Sequence, residues 1–91
     1  MKIHWTGKVL SDLVRLYEFP GPVNPATAAR VVRSLTAAPL RLAVRPHLGE
    51  KLEEFRPREV RRILVGNYEM RYEVRGDTLL IVRLWHSGEH R

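Results

Sequence analysis

The sequence has no cysteine and no long apolar run, and both absences narrow the functions open to it. Without cysteine there are no disulfides, thiolate metal ligands or cysteine nucleophiles, which fits a reducing compartment. The longest uninterrupted apolar run covers only Leu79 to Val82, whereas a membrane span needs roughly 18–20 residues. The opening residues also lack the apolar segment of a secretory signal. We therefore expect a cytoplasmic protein without membrane contact, stabilised by packing alone.

Acidic residues are scarce in the first half of the chain, which gives the sequence a marked positive charge. The 16 basic residues outnumber the 10 acidic ones, for a net charge of +6. No acidic residue occurs between Glu18 and Glu50, a stretch that contains four arginines: Arg30, Arg33, Arg41 and Arg45. This imbalance predicts an anionic partner, either nucleic acid or an acidic protein segment. Arginine enrichment is also typical of a GC-rich genome, so the charge alone does not identify the partner.

The length of 91 residues favours one domain, residues 1–91, with no room for a separate catalytic module. Ile3 and Trp5 alternate with polar neighbours, which predicts a strand over Lys2–Thr6. Thr6 can then cap a helix over Lys8–Phe19. Four residues of this helix have the spacing of one apolar stripe: Leu10, Leu13, Val14 and Tyr17.

A second helix is predicted to begin at Asn24-Pro25, a capping residue followed by a proline that suits the first turn. Its apolar face consists of Ala28, Val31, Leu35 and Ala38. The helix is expected to reach about Ala38, where Pro39 either kinks it or starts a short continuation. Residues Pro46–Pro57 are interpreted as a solvated connection with room for one helical turn.

The second half of the chain predicts a three-stranded antiparallel meander. Two-residue turns at Gly66-Asn67 and Gly76-Asp77 separate three strands: Arg58–Val65, Tyr68–Arg75 and Thr78–His86. The predicted fold class is therefore α+β, with a short N-terminal strand, a helical hairpin and then the meander. Both helices are expected to pack on one face of the sheet.

Turn length fixes the expected register of the meander. Two-residue turns give four opposing pairs: Val65 with Tyr68, Arg62 with Arg71, Arg71 with Val82, and Glu69 with Leu84. The side facing the helices should then consist of Ile63, Val65, Tyr68, Met70, Tyr72, Val74, Leu79, Ile81 and Trp85. The opposite side should carry Arg62, Glu69, Arg71, Glu73, Arg75, Thr78 and His86 around Leu80, Val82 and Leu84.

This opposite side is the candidate functional surface. Arg62 directly across from Arg71 is destabilising unless a counter-charge comes from Glu69, Glu73 or an external anion. Three exposed aliphatic side chains beside these charges indicate a docking partner. The alternative interpretation is an internally paired, solvated ladder of charges without a binding role.

The end of the chain is rich in groups that transfer protons or bind phosphate, since His86 is followed by a polar tail that ends at Arg91. His86 and His90 have the i, i+4 spacing of a metal pair, but Gly88 would break a helix there and no third ligand is evident. No phosphate-loop or nucleophile-elbow motif occurs. We therefore assign no metal site and no cofactor.

Residues Val60–Arg91 resemble the RelE/ParE superfamily of toxins from toxin-antitoxin systems, and the first half agrees in the order of its elements. The resemblance rests on Arg61-Arg62, the Gly66-Asn67-Tyr68 turn, the Tyr68 and Tyr72 pair, the last strand closing on His86, the terminal Arg91, and Pro46-His47-Leu48-Gly49 before the meander. It implies a small cytoplasmic bacterial toxin, often described as a plasmid-stabilisation protein. It also implies inhibition by a cognate antitoxin encoded beside it, with larger toxin-antitoxin assemblies as an option.

The superfamily divides into two branches with different targets. RelE-like members are ribosome-dependent mRNA endoribonucleases and commonly carry an arginine after the tyrosine of the turn, where this chain has Glu69. Their tails also tend to hold further basic or tyrosine residues, whereas no tyrosine follows Tyr72 here. Both departures favour the ParE-like branch, whose target type is DNA gyrase.

Two alternatives stay open at this stage. In an endoribonuclease, His86 would transfer protons while Arg62 and Arg71 stabilise the phosphate. The second alternative is a non-toxic basic binding module of the same fold, since a fold does not determine a function. For a toxin, we expect the target or antitoxin surface to comprise Arg62, Glu69, Arg71, Leu80, Val82, Leu84, His86 and Arg91. The antitoxin segment that binds it should combine acidic residues with spaced aliphatic ones.

Overall fold

A computed structural model describes residues 1–18 and 25–87, which form an α+β fold. The elements in chain order are β1 (Lys2–Trp5), α1 (Gly7–Glu18), α2 (Pro25–Val44), β2 (Glu50–Lys51), a 3₁₀ turn (Glu53–Phe55), β3 (Glu59–Val65), β4 (Tyr68–Arg75) and β5 (Thr78–His86). The predicted strands of the meander are confirmed to within one residue. The helical turn expected in the connection is also present.

The sheet has five strands in the order β1-β5-β4-β3-β2, and it is mixed rather than purely antiparallel. β1 lies parallel to β5, with Ile3 opposite Leu79, while β2 pairs with β3 through Glu50 and Lys51. β2 is not predicted from the sequence, because a strand of two residues shows no periodicity. The partner of β1 is not predicted either, since it lies more than 70 residues away along the chain.

The core lies between the two helices and one face of the sheet. Its buried residues are Val9, Leu16, Leu35, Ala38, Leu42, Val65, Met70, Tyr72, Leu79, Ile81 and Leu84. The predicted apolar stripe of α2 is confirmed for Leu35 and Ala38, and Val31 packs against them.

The stripe predicted for α1 is partly wrong. Leu10 and Val14 are 50% and 65% exposed, whereas Val9 and Leu16 are buried and Leu13 packs against the core. The buried side of α1 is therefore displaced around the helix from the predicted one. The Tyr17 side chain lies outside the described part of the structure, as does the predicted helix end at Phe19.

α2 continues through Pro39 to Val44, so the continuation expected as one alternative is part of the same helix. Pro39 is buried and supplies no backbone N–H to the helix. The predicted cap, Asn24, lies outside the described residues. Neither of the two described helices is long and apolar enough to cross a membrane.

A β-bulge in β5 changes the side on which its last residues lie. Both turns have two residues, with Gly66 and Gly76 at φ +61° and +59°, and the register runs as predicted from Arg75↔Thr78 to Tyr72↔Ile81. Beyond this point Arg71 pairs with Arg83 and Glu69 with Trp85, so Val82 is an extra residue. An inserted residue reverses the side of every side chain after it. The predicted pairs Arg71–Val82 and Glu69–Leu84 are therefore wrong.

α1 fixes the bulged part of β5 at an edge that β1 leaves uncovered. β1 ends opposite Ile81, and Thr6 continues from it, donating its hydroxyl to the Ile81 carbonyl and accepting from the Val9 N–H as the predicted helix cap. Farther along, Asp12 accepts from the Leu84 N–H at 2.9 Å, and Arg15 donates to the Leu84 carbonyl at 2.9 Å. Polar side chains of α1 thus satisfy backbone groups that a neighbouring strand would otherwise bind.

The connection before β3 is held against the sheet by a close backbone approach at Gly49. The Tyr72 hydroxyl accepts from the Gly49 N–H at 2.8 Å and donates to the Pro46 carbonyl at 2.7 Å. A Cβ atom on Gly49 would lie 2.6 Å from the Arg62 carbonyl oxygen, so only glycine fits here. This contact orients Glu50, which follows directly, toward Arg62.

Candidate interaction surface

The outer face is the side of β3, β4 and β5 that turns away from the helices, and it carries most of the predicted site. Arg62 and Arg71 lie directly opposite each other, as expected. Glu69 and Arg71 alternate with the core residues Met70 and Tyr72 along β4, which places both charges on this face. The bulge adds Arg83 and Trp85.

Glu69 supplies the counter-charge that the two facing arginines require. One of its carboxylate oxygens accepts from Arg62 Nη1 and the other from Arg71 Nε, each at 3.2 Å. Arg62 also donates to Glu50 Oε1 at 2.8 Å. The bond to Glu50 is the main reason that the pKa of Arg62 is raised above its usual value. No external anion is needed to balance this pair.

A second carboxylate on the outer face, Glu73, is held in the same way although it is almost fully buried. Arg58 Nη2 donates to one carboxylate oxygen at 2.7 Å, and Arg75 donates to the other at 3.1 Å. The bond from Arg58 lowers the pKa of Glu73, and this effect together with Arg75 outweighs the opposing effect of burial. Glu73 is therefore an ionised, internally paired group.

Trp85 lies beneath a layer of arginine side chains. The Arg71 guanidinium is 4.7 Å from the centre of the Trp85 ring and 5.7 Å from that of Phe55, and Arg83 is 5.8 Å from Trp85. Such cation–π contacts bury the ring, which is 7% exposed, and orient the guanidinium groups. The predicted place of Trp85 on the helix side is wrong, because the bulge moves this residue to the outer face.

Asp12 and Arg83 belong to this region although neither is among the residues predicted for the site. Asp12 Oδ2 accepts from Arg83 Nε at 2.9 Å, and Asp12 is only 3% exposed. A signal for Asp12 does exist, because it interrupts the apolar series Val9, Leu13 and Leu16 at a core-facing spacing. Arg83 carries no such signal, since its side depends on the bulge.

The structure separates two of the predicted site residues from the rest. Leu84 is fully buried in the core. His86 pairs with Tyr68 on the helix side, and the two rings meet edge to face with their centres 5.0 Å apart. Leu80, opposite Glu73, and Val82 are half-buried, while Arg91 and His90 lie outside the described residues. His86 thus does not share a face with Arg62 and Arg71.

Each arginine of the outer face is paired with a carboxylate, although the five arginines share four carboxylates. Arg58 and Arg75 contact Glu73, Arg62 contacts Glu50 and Glu69, Arg71 contacts Glu69, and Arg83 contacts Asp12. An incoming anion would therefore compete with carboxylates already in place. In residues 1–18 and 25–87 no three His, Asp or Glu side chains are grouped closely enough to hold a metal ion.

Replacing Arg62 with alanine tests whether the arginines of the outer face stabilise the fold or contact a binding partner. Because Arg62 contacts both Glu50 and Glu69, its loss leaves Glu69 with Arg71 alone and should lower the melting temperature by a few degrees. Arg33→Ala is the matched control, since that arginine is exposed and contacts no carboxylate in the described part of the chain. Thermal melts give the result. Unchanged melting would show instead that Arg62 adds nothing to the fold, which leaves it available to contact a partner.

The sequence model of the family described as ParE toxin of type II toxin-antitoxin system, parDE, matches residues 3–91 of this chain. Among proteins with curated descriptions none is significantly similar. Among solved structures, a chain of the chromosomal ParDE toxin-antitoxin system from P. aeruginosa matches with a TM-score of 0.65 and 21% identity, over 94% of this chain and 95% of that one. The structural likeness shows a shared fold, and the sequence match extends over nearly the whole chain.

Proposed function

The chain belongs to the family of ParE toxins of type II toxin-antitoxin systems, and from this we propose that it arrests bacterial growth in the cytoplasm by inhibiting DNA gyrase. A cognate antitoxin binds the toxin and neutralises it. The observation that supports the proposal best is the family match over residues 3–91.

The side-chain geometry favours gyrase over messenger RNA as the target. An endoribonuclease needs its proton-transfer group and its phosphate-stabilising groups within reach of the same reacting atoms. Here His86 lies on the helix side against Tyr68, whereas Arg62 and Arg71 lie on the outer face. Glu69 between the two arginines would also repel a phosphate.

Expression of the toxin alone should lower colony counts of a bacterial host by more than an order of magnitude, and coexpression of the adjacent gene should restore them. The purified protein should inhibit plasmid supercoiling by gyrase or trap cleaved plasmid, since both report directly on the target. Premixing with the antitoxin is the control, and it should restore supercoiling.

Two other outcomes would overturn the gyrase assignment. Cuts in ribosome-bound transcripts, with supercoiling unaffected, would identify an endoribonuclease. Normal growth with soluble, folded protein and no effect on either target would leave a non-toxic basic binding module.

A further inference from the structure

The unpaired positive charge of the protein lies on and just after α2, away from the outer face. No acidic residue occurs from residue 19 to residue 49, and four arginines of this stretch are exposed: Arg30, Arg33, Arg41 and Arg45. In the described part of the chain none of the four contacts a carboxylate. The arginines of the outer face, by contrast, are each paired with one. The cations available to an external anion are therefore those of α2.

The four arginines share one side of the helix. Arg30, Ser34, Ala37 and Arg41 have the i, i+4, i+7, i+11 spacing of a single helix face. Arg45 follows the last residue of α2, but its N–H bonds to the Arg41 carbonyl at 2.9 Å, which continues the helical pattern to it. At about 100° per residue, all four arginines fall within about 120° of the helix circumference. We call this side the arginine face.

The arginine face consists of two pairs of cations with a gap between them. Arg30 and Arg33 form one pair, and Arg41 and Arg45 form the other. Arg41 lies eight positions after Arg33, which is about 12 Å along the helix axis. The major groove of B-DNA is also about 12 Å wide. Two pairs at this distance can therefore contact phosphates on both sides of one major groove.

Only small side chains lie between the two pairs on the line from Arg30 to Arg41. Ser34 and Ala37 are the exposed residues there, so a sugar-phosphate backbone can lie close to the helix. Arginine suits phosphate because its guanidinium group donates two parallel N–H bonds to the oxygens. The outer face differs in this respect, since Glu69 would repel a phosphate there. The arginine face combines the spacing, the access and the charge that a phosphate backbone requires.

We propose that the arginine face binds the phosphate backbone of duplex DNA across one major groove, and that this DNA is the segment held by gyrase. The identity of the DNA rests on the proposed function, since gyrase acts on duplex DNA. Contacts to phosphates carry no sequence information, so the binding is independent of sequence. A toxin that contacts the enzyme and its DNA together gains affinity from both contacts.

An acidic protein segment fits the arginine face less well than DNA does. Protein interfaces usually have an apolar core surrounded by polar residues, whereas the exposed side chains on the line from Arg30 to Arg41 are cationic or small. Binding to a phosphate backbone depends mainly on cations that displace its counterions. The composition of the arginine face therefore favours phosphates.

Direct binding gives the first test. A labelled DNA duplex of about two helical turns is titrated with purified toxin, and fluorescence anisotropy gives Kd. Four phosphate contacts predict that the affinity falls about a hundredfold between about 50 and about 200 mM salt. A duplex of unrelated sequence should give the same Kd within about twofold. Absence of binding at the lower salt concentration, or a Kd that does not change with salt, would overturn the proposal.

Removal of charge from the arginine face gives the second test. The double variant Arg33→Gln, Arg41→Gln should keep the melting temperature of the wild type, because both side chains are exposed, and should raise Kd for the duplex more than about tenfold. The matched control is Lys51→Gln, Arg56→Gln, which removes the same charge from two exposed residues outside α2. Its Kd should stay within about threefold of the wild-type value. Equal losses in the two double variants would mean attraction by net charge alone and would overturn the site.

Two further ligands distinguish the source of the phosphates and the class of partner. Duplex RNA has a deep, narrow major groove, so the spacing of the arginine pairs predicts weaker binding to RNA than to DNA. Polyglutamate, which carries carboxylates without that geometry, should also bind more weakly than DNA. Tighter binding of either ligand, lost in the Arg33, Arg41 variant, would assign the arginine face to RNA or to an acidic protein and would refute the DNA proposal.

The DNA site and the proposed function fail in different ways. In the gyrase assay, the Arg33, Arg41 variant should need more than about tenfold more toxin than the wild type for the same inhibition. If both proteins inhibit gyrase equally, the arginine face takes no part in target binding, and the inference is wrong while the toxin function stands. If the wild type binds duplex DNA through the arginine face but leaves growth and supercoiling unaffected, the DNA site stands and the proposed function is wrong.

Discussion

Replacing Leu84 with alanine should destabilise the fold by about 3 kcal/mol, because Leu84 is fully buried in the core opposite Met70. A loss of this size lowers the melting temperature of a domain of this length by more than about 10 °C. Urea unfolding followed by circular dichroism measures the change.

Leu80→Ala is the matched control for Leu84, since both are leucines of β5 and they lie only four positions apart. Leu80 is half-buried and lies opposite Glu73 on the outer face, so its truncation should cost less than about 1 kcal/mol. Without the bulge the two residues would share the outer face. Equal and small effects of the two substitutions would therefore contradict the bulged register.

Asp12→Ala should destabilise the protein by a similar amount, about 3 kcal/mol, because a buried, hydrogen-bonded carboxylate is removed. Asp12 is 3% exposed and accepts from the Leu84 N–H, Arg83 Nε and Arg15 Nη2. Alanine leaves the Leu84 N–H without its acceptor and removes the carboxylate that orients Arg83. Urea unfolding measures the loss, and Asp77→Ala, at an exposed turn, is the control. Equal stability of the two variants would show that Asp12 contributes nothing.

The contribution of Asp12 should also depend on pH. Burial alone would raise the pKa of Asp12, but the hydrogen bonds from Arg83, the Leu84 N–H and Arg15 lower it below the ordinary value of 3.8. The unfolded chain then takes up a proton at a higher pH than the folded one. The stabilisation is therefore present above about pH 3.8 and is lost as pH falls through the lower folded pKa.

Asp12→Asn isolates the pH-dependent contribution of Asp12 to stability, because asparagine has nearly the same shape as aspartate but does not titrate. The stability difference between wild type and Asp12→Asn should shrink as the pH is lowered from about 7 toward about 2. Glu59 and Glu73, whose pKa values are also lowered by arginine contacts, remain in both proteins and cancel in the comparison. A difference that stays constant with pH would show that folding leaves the pKa of Asp12 unchanged, and a change in the opposite direction would show that burial raises it.

The local features of this fold could be predicted from the sequence because the residues that cause them are close together in it. Glycine at the first position of each turn and the strict alternation of Tyr68 to Arg75 set the β3–β4 register. That register was sufficient to place Arg62 opposite Arg71 and to identify Glu69 as a candidate counter-charge. The helices were predicted from their caps and spacing, although the buried side of α1 was not.

Only the tertiary structure decided the composition of the outer face. The apolar run from Leu79 to Val82 and the mixed residues after it carry no alternation that marks a bulge. The register there involves Asp12, which binds Arg83 and the Leu84 N–H from more than 70 residues away. A one-residue shift then exchanges Leu84 for Trp85 and moves His86 away from the arginines. Long-range pairing of this kind depends on where α1 lies against β5, which local patterns do not encode.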